Sequence, residues 1–346
     1  MDPESTVNTI VRKVDQINPN PDDVKIAADI IKDGGTVVFP TETVYGLGAD
    51  AYNKSACRKI FEIKRRPLDN PLIIHVDSIP SAFNLIDLDR IDKRIIEKLW
   101  PGPITIVANS RAVVPDIVSS GLETLAVRIP ANPLALDFIK ASKTYIAAPS
   151  ANLSTMTSIV DSSEAISVLN GLVNFIFDSG RTFFGIESTI VDVRGSMPHV
   201  LRPGAFTSEE IMQLFGRSLV DPEARGLKEP NVLVAPGMKY RHYAPDIPLY
   251  LIEDLDDLID FCNMRKKNDF VALVSEEMSK FLHCDTIIIG SEDNPYQIAR
   301  DLFPNLKKAE NSGKSFAVIQ SVREMGIGLA VMNRIRKASI KGPLPP

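Results

Sequence analysis

The 346-residue chain lacks most of the features that make a function easy to read. It has no Walker loop, so the common phosphate cradle is absent. It has no nucleophile elbow and no HExxH helix, and nothing points to a Ser-His-Asp triad. Cysteine is scarce. Cys57, Cys262 and Cys284 are an odd number at wide spacings, which fits neither a disulfide framework nor a zinc knuckle. His199, His242 and His283 show no partner spacing that suggests metal ligation. No apolar run is long enough to span a bilayer. Met1-Asp2-Pro3-Glu4-Ser5 is not a basic region followed by an apolar one, so no signal peptide is expected. The expected location is the cytoplasm, with no membrane partner. The formal charge is -5, from 39 basic and 44 acidic residues. That argues against bulk capture of nucleic acid and leaves room only for a local basic groove. There is no internal repeat and no low-complexity tract.

What is present suits a globular protein of two domains. Asp22 to Lys32 reads as a helix, with Ile26, Ala27, Ile30 and Ile31 at helical spacing and Gly34-Gly35 to end it. Thr36 to Phe39 is a short buried strand closed by Pro40, and Thr41 to Gly48 reads as a polar, glycine-punctuated turn. Ser55 to Lys64 is a second helix. Further strands are expected at 72–76, 104–108, 125–129, 146–148, 175–178 and 188–193, with helices around 91–99, 133–142 and 163–169. This mixture predicts an open α/β or α+β sheet domain over residues 1–217. Residues 218–245 carry Pro222, Pro230, Pro236 and Pro245 without periodicity, and read as an extended linker. Its end, Pro236 to Pro245, is rich in groups able to contact a ligand. Residues 246–346 hold four apolar strands with intervening helices, which predicts a small parallel, Rossmann-like α/β sheet. Met325-Gly326-Ile327-Gly328 has no third glycine at the dinucleotide spacing and reads as a tight turn into the last helix.

Two motifs carry the chemistry. Lys64-Arg65-Arg66-Pro67 packs three cations before a proline that stops the helix, and Asn70 lies between Pro67 and Pro71. A solvated helix end would hold such cations equally well. Pro149-Ser150-Ala151-Asn152 presents a hydroxyl and an amide just beyond an apolar strand. Point charge, a guanidinium fork and small polar donors are what a polyphosphate site needs. Thr41 and Thr43 follow another buried strand, where ligands of open α/β sheets bind; for Glu42 and Tyr45 an ordinary turn competes. Ser188 and Thr189 begin a strand. Arg128 and Arg202 lie near buried strand ends and demand an anion, either a ligand or an Asp or Glu. His75, on an apolar strand, reads by itself as a satisfied core histidine. An enzyme built this way holds reactants together and neutralises phosphate charge, without a covalent intermediate.

Together these motifs resemble the YrdC-like family, in its long two-domain form of threonylcarbamoyl-AMP synthases. The resemblance is carried by Pro40 to Leu47, Lys64 to Leu72, Trp100-Pro101-Gly102-Pro103, Pro149 to Ser154, Glu187 to Val191, Arg202-Pro203-Gly204 and the linker from Pro236 to Pro245. It implies a twisted sheet with a concave cavity. It implies a reaction of L-threonine, bicarbonate and ATP, with Mg2+, to threonylcarbamoyl-AMP and pyrophosphate. A partner complex would then transfer the threonylcarbamoyl group to tRNA. Matched residue by residue, Lys64, Arg66, Ser150 and Asn152 form the tetrad around the phosphates. Asn70, Thr124, Ser158, Arg202 and Arg241 would also meet ATP. Thr43, His75, Arg128, Ala148 and Ser188 would hold threonine, and Tyr240 or Tyr243 would close over the cavity. Where the family often has a glycine after Ser154, this chain has Thr155-Met156-Thr157-Ser158. Two rivals stand beside this reading. An RNA-binding module sits poorly with the acidic charge and few aromatics. A transferase subunit that uses carbamoyl phosphate is the other.

Overall fold

A computed structural model describes residues 7–228, 243–265 and 269–345. Tyr240 and Arg241 lie outside the described residues. The chain builds two sheets. The larger has eleven strands, ordered from edge to edge Ile10–Lys13, Phe175–Asp178, Val37–Phe39, Gly46–Asp50, Ile146–Ala148, Ile73–His75, Thr124–Arg128, Ile104–Asn109, Thr189–Asp192, His199–Arg202 and Leu219–Val220. It mixes parallel and antiparallel pairs. The smaller sheet is parallel throughout, ordered Leu249–Ile252, Phe316–Gln320, Phe270–Ser275, Thr286–Gly290.

The small sheet shows why its sequence is so apolar. Phe270–Ser275 is buried along its whole length, as a parallel strand covered on both faces must be. Helix Leu255–Met264 packs on one face, and helices Pro295–Glu310 and Gly328–Ala338 on the other. Those two helices also meet the large-sheet domain. Their apolar cluster takes in Val44, Val160, Ile186 and Ala205, so the two domains share a core. The two domains pack backbone to backbone at Gly185. A Cβ there would fall 2.5 Å from the Arg300 carbonyl oxygen, and its φ is +67°. Both the space and the left-handed backbone favour glycine. Nearby, Arg181 Nη2 pairs with Asp301 Oδ1 at 2.6 Å.

The structure departs from the sequence expectations at several points. The turn expected over Thr41 to Gly48 becomes, from Gly46, the strand Gly46–Asp50, paired with Val37–Phe39 and Ile146–Ala148. Its glycines serve close packing: a Cβ on Gly48 would lie 2.7 Å from Ile146 and 2.9 Å from Phe39. The large sheet also runs past residue 217, because Leu219–Val220 pairs with His199–Arg202. The segment after it packs on the last helix, where Asn333 Nδ2 donates to the Ala224 carbonyl at 2.8 Å. The Gly326-Ile327-Gly328 turn receives an internal anion, since the Gly326 amide donates to Glu209 Oε1 at 3.0 Å. Cys262 and Cys284, distant in sequence, have interacting thiols; the contact pushes Cys262 up and pulls Cys284 down. No helix among the described residues is long and apolar enough to cross a membrane.

Gly185→Ala forces overpacking against the Arg300 backbone. It is expected to cost about 1–3 kcal/mol, read as a lower urea midpoint; an unchanged midpoint would contradict this close packing.

Candidate active site

Helix Lys54–Lys64 begins on Asn53, whose side chain accepts from the Ala56 amide. It ends because Arg65 turns left-handed, with φ 52°. The stop therefore precedes Pro67, contrary to the sequence expectation. This turn sorts the three cations. Lys64 is buried, Arg65 is exposed and Arg66 is half-buried. Lys64 Nζ donates to the carbonyl oxygens of Ser150, at 2.6 Å, and Asn152. Arg66 donates from Nε to the Asn70 carbonyl at 3.1 Å and from Nη2 to the Pro71 carbonyl at 3.0 Å. The rigid loop thus aims Arg66, with Asn70 acting through its backbone.

The sheet positions a second group. His75 pairs in register with Arg128 on one neighbour strand, and Thr105 pairs with Arg128 on the other. Cross-strand partners share a face, so the three stand in one row. Arg128 Nη1 donates to Thr43 Oγ1 at 2.9 Å, and Nη2 lies 2.7 Å from Glu42 Oε1. Thr105 Oγ1 is 2.8 Å from Ser188 Oγ, which also accepts from Arg202 Nη2 at 3.1 Å. The Trp100-Pro101-Gly102-Pro103 loop backs this row: the Thr189 amide donates to the Pro103 carbonyl at 2.9 Å.

One cavity gathers Lys64, Arg66, Ser150, Asn152 and Arg202 with Thr43, His75, Arg128, Ala148 and Ser188. Three expected ATP contacts stand outside its wall. Asn70 supports Arg66 from behind. Thr124 shares the strand face of Arg128 but sits about 13 Å along it. Ser158 gives its hydroxyl to Glu187 Oε1.

Sequence reasoning missed Arg334. It is fully buried on a helix of the C-terminal domain, and Nε donates to Glu187 Oε2 at 3.0 Å across 147 residues of chain. Its guanidinium carbon stands 5.7 Å from the centre of the Tyr243 ring, which stacks on Phe303 at 5.5 Å. Tyr243 lines the cavity. The available signal was its place after the apolar run Leu329 to Met332, ahead of the last-turn cations Arg336 and Lys337, since a buried guanidinium needs a partner.

The charges are unevenly matched. Glu187 pairs with Arg334, and Glu42 pairs with Arg128. Lys64, Arg66 and Arg202 form no ion pair with a carboxylate among the described residues. Burial, and then the charge of Arg66, pulls Lys64 well below the ordinary lysine range. Burial and Arg202 bring Arg66 down to about 9. Burial and Arg128 bring His75 down to about 3, so its ring is neutral at physiological pH, and its Nδ1 has no partner. Burial pulls Glu187 up, but Arg334, Arg202 and the Ser158 hydroxyl outweigh it, and the carboxyl titrates below its ordinary value. Cations gathered in this way form an anion site.

A family model for Sua5/YciO/YrdC proteins, described as "Telomere recombination", matches residues 29–204. The chain belongs to this family. A second model, "Threonylcarbamoyl-AMP synthase, C-terminal domain", matches residues 206–339. Family members named threonylcarbamoyl-AMP synthase include one from Pyrococcus abyssi, 40% identical over 91% of this chain and 94% of its own. One from Bacillus subtilis is 36% identical over 96% and 98%. The crystal structure of P. abyssi Sua5 complexed with L-threonine superposes with a TM-score of 0.85, at 36% identity and covering 96% of this chain and 97% of that one. The long two-domain form of the Sua5/YciO/YrdC family is therefore the form seen here.

Arg334→Met leaves Glu187 buried and unpaired, and is expected to cost about 3–5 kcal/mol. Adding Glu187→Gln should recover much of that loss in guanidinium unfolding; strictly additive losses would mean the pair is not coupled.

Proposed function

We propose that this chain is a threonylcarbamoyl-AMP synthase. It joins L-threonine, bicarbonate and ATP into threonylcarbamoyl-AMP and pyrophosphate in the cytoplasm, and a transfer complex carries the threonylcarbamoyl group to tRNA. The observation that carries this reading is one cavity with two unlike ends. At one end Lys64, Arg66 and Arg202 are cations without carboxylate partners. At the other, Arg128, His75 and Thr43 stand together on the sheet. The first end suits a polyphosphate and the second an amino acid. The threonine-bound P. abyssi Sua5 supports the assignment of the second.

The chemistry follows from this division. Arg128 lines the cavity and takes the threonine carboxylate in a charge-assisted contact. Neutral His75, with Nδ1 unpartnered, and Ser188 orient the rest of the amino acid. The threonine amine adds to CO2 from bicarbonate and loses a proton, giving a carbamate. A carbamate oxygen then attacks the α-phosphorus, and the bond to the bridging oxygen breaks as pyrophosphate leaves. Lys64, Arg66 and Arg202 stabilise the charge on that leaving group, with Ser150 and Asn152 beside them. Mg2+ enters with ATP. Among the described residues there is no group of three or more His, Cys, Asp or Glu suited to a metal. Tyr243 lines the cavity, so closure on its side would exclude water from the labile product.

The test is pyrophosphate release from ATP with threonine and bicarbonate each present or omitted. Release should require both, and Arg128→Ala should raise the threonine KM by about 10- to 100-fold. Threonine-independent release would contradict the reading.

A further inference from the structure

Glu42 takes no part in that mechanism, yet its carboxylate is buried against Arg128. Oε1 lies 2.7 Å from Arg128 Nη2, with the two side chains 9% and 4% exposed. Neither carboxylate oxygen takes a well-aligned hydrogen bond. No donor spreads the charge, so it acts undiluted on the guanidinium. The carboxylate also stands outside the cavity. Glu42 belongs to a separate cleft of about 870 Å3, shared with Ser179, Arg181 and Thr182, whereas Arg128 and Thr43 line the cavity itself. Glu42 therefore holds Arg128 from behind the wall, while Arg128 itself lines the cavity.

This divides the cavity by charge. The Lys64, Arg66 and Arg202 end sets three cations beside a single carboxylate, Glu187, already paired with Arg334, and attracts an anion of several charges. The Arg128 end is neutralised by Glu42, and suits a zwitterion whose carboxylate carries a single charge. We propose that Glu42 is a specificity-determining, positioning residue: by compensating Arg128 from behind the cavity wall, it keeps phosphate groups out of the amino-acid end. The proposal rests on the reading that Arg128 receives the threonine carboxylate.

Inorganic phosphate is the probe, titrated by calorimetry into the full chain with and without saturating threonine. In the wild type, threonine should leave phosphate binding unchanged. Glu42→Gln keeps the shape and removes the charge. It should bind a second phosphate, at least about tenfold more tightly than any threonine-sensitive phosphate in the wild type, and threonine should displace it. In the presence of phosphate the threonine KM of this variant should rise about tenfold, with the ATP KM unaltered. Glu42→Asp keeps the charge and should behave as the wild type. A folded Glu42→Gln protein whose phosphate binding ignores threonine overturns the proposal. So does competition between phosphate and threonine in the wild type, a test that stands even where the variant does not fold. Failure of the underlying reading looks different: the wild type would then bind no threonine at all.

Discussion

Three cations with no carboxylate ion pair among the described residues, buried Lys64 and Arg202 and half-buried Arg66, set the terms for the rest of the active site. A charge held out of water is stabilised only by an opposite charge or by hydrogen bonds. Here the backbone supplies the bonds: the Ser150 and Asn152 carbonyls for Lys64, Asn70 and Pro71 for Arg66, and Ser188 for Arg202. Carbonyls orient these groups without neutralising them. The left-handed Arg65, the two prolines of the loop and the bridge between Ser150 and Gly46 are the means by which local sequence holds that arrangement. The cavity is thereby preorganised for an anion that the free protein does not contain.

The second domain is part of this arrangement through one residue. Arg334 reaches from a C-terminal helix to Glu187, at the base of the cavity. Without it, Glu187 would stay buried and unpaired beside Arg202, which it already influences. The same guanidinium lies over Tyr243, so this wall of the cavity rests on the C-terminal domain. This gives the shared core at Gly185 and Ile186 a functional meaning: a rigid seam fixes Arg334 to within hydrogen-bonding distance.

Most of the site was legible in the sequence because its residues cluster in short motifs at the ends of buried strands. Hydroxyls after Pro40, the cations at Lys64 and Arg66 and the polar step at Ser150 announce themselves by breaking apolar runs. The C-terminal sheet was equally legible, since strands buried on both faces read as unbroken apolar segments. What was missed depends on pairings across long stretches of chain. Arg334 has no local signature of its partner. Ser158 sits where a contact with ATP was expected, but its hydroxyl is drawn to Glu187. Gly46–Asp50 reads as a turn because two glycines in five residues usually mark one; here they make room for Ile146 and Phe39. Glu42 looked like a loop residue until the fold placed it behind Arg128.

The central claim is that the phosphate end is a site whose charges are held at a cost until an anion arrives. Lys64, pulled down in the free protein by burial and by Arg66, should be raised when a polyanion binds, so binding should take up protons. The measurement is calorimetry over a rising series of pH values, each in two buffers of different ionisation enthalpy. The ligand is an ATP analogue carrying a methylene bridge between the α- and β-phosphorus, with threonine present. The account predicts proton uptake on binding, and its loss in Lys64→Met. Tight binding without proton uptake, or uptake that survives Lys64→Met, would contradict it.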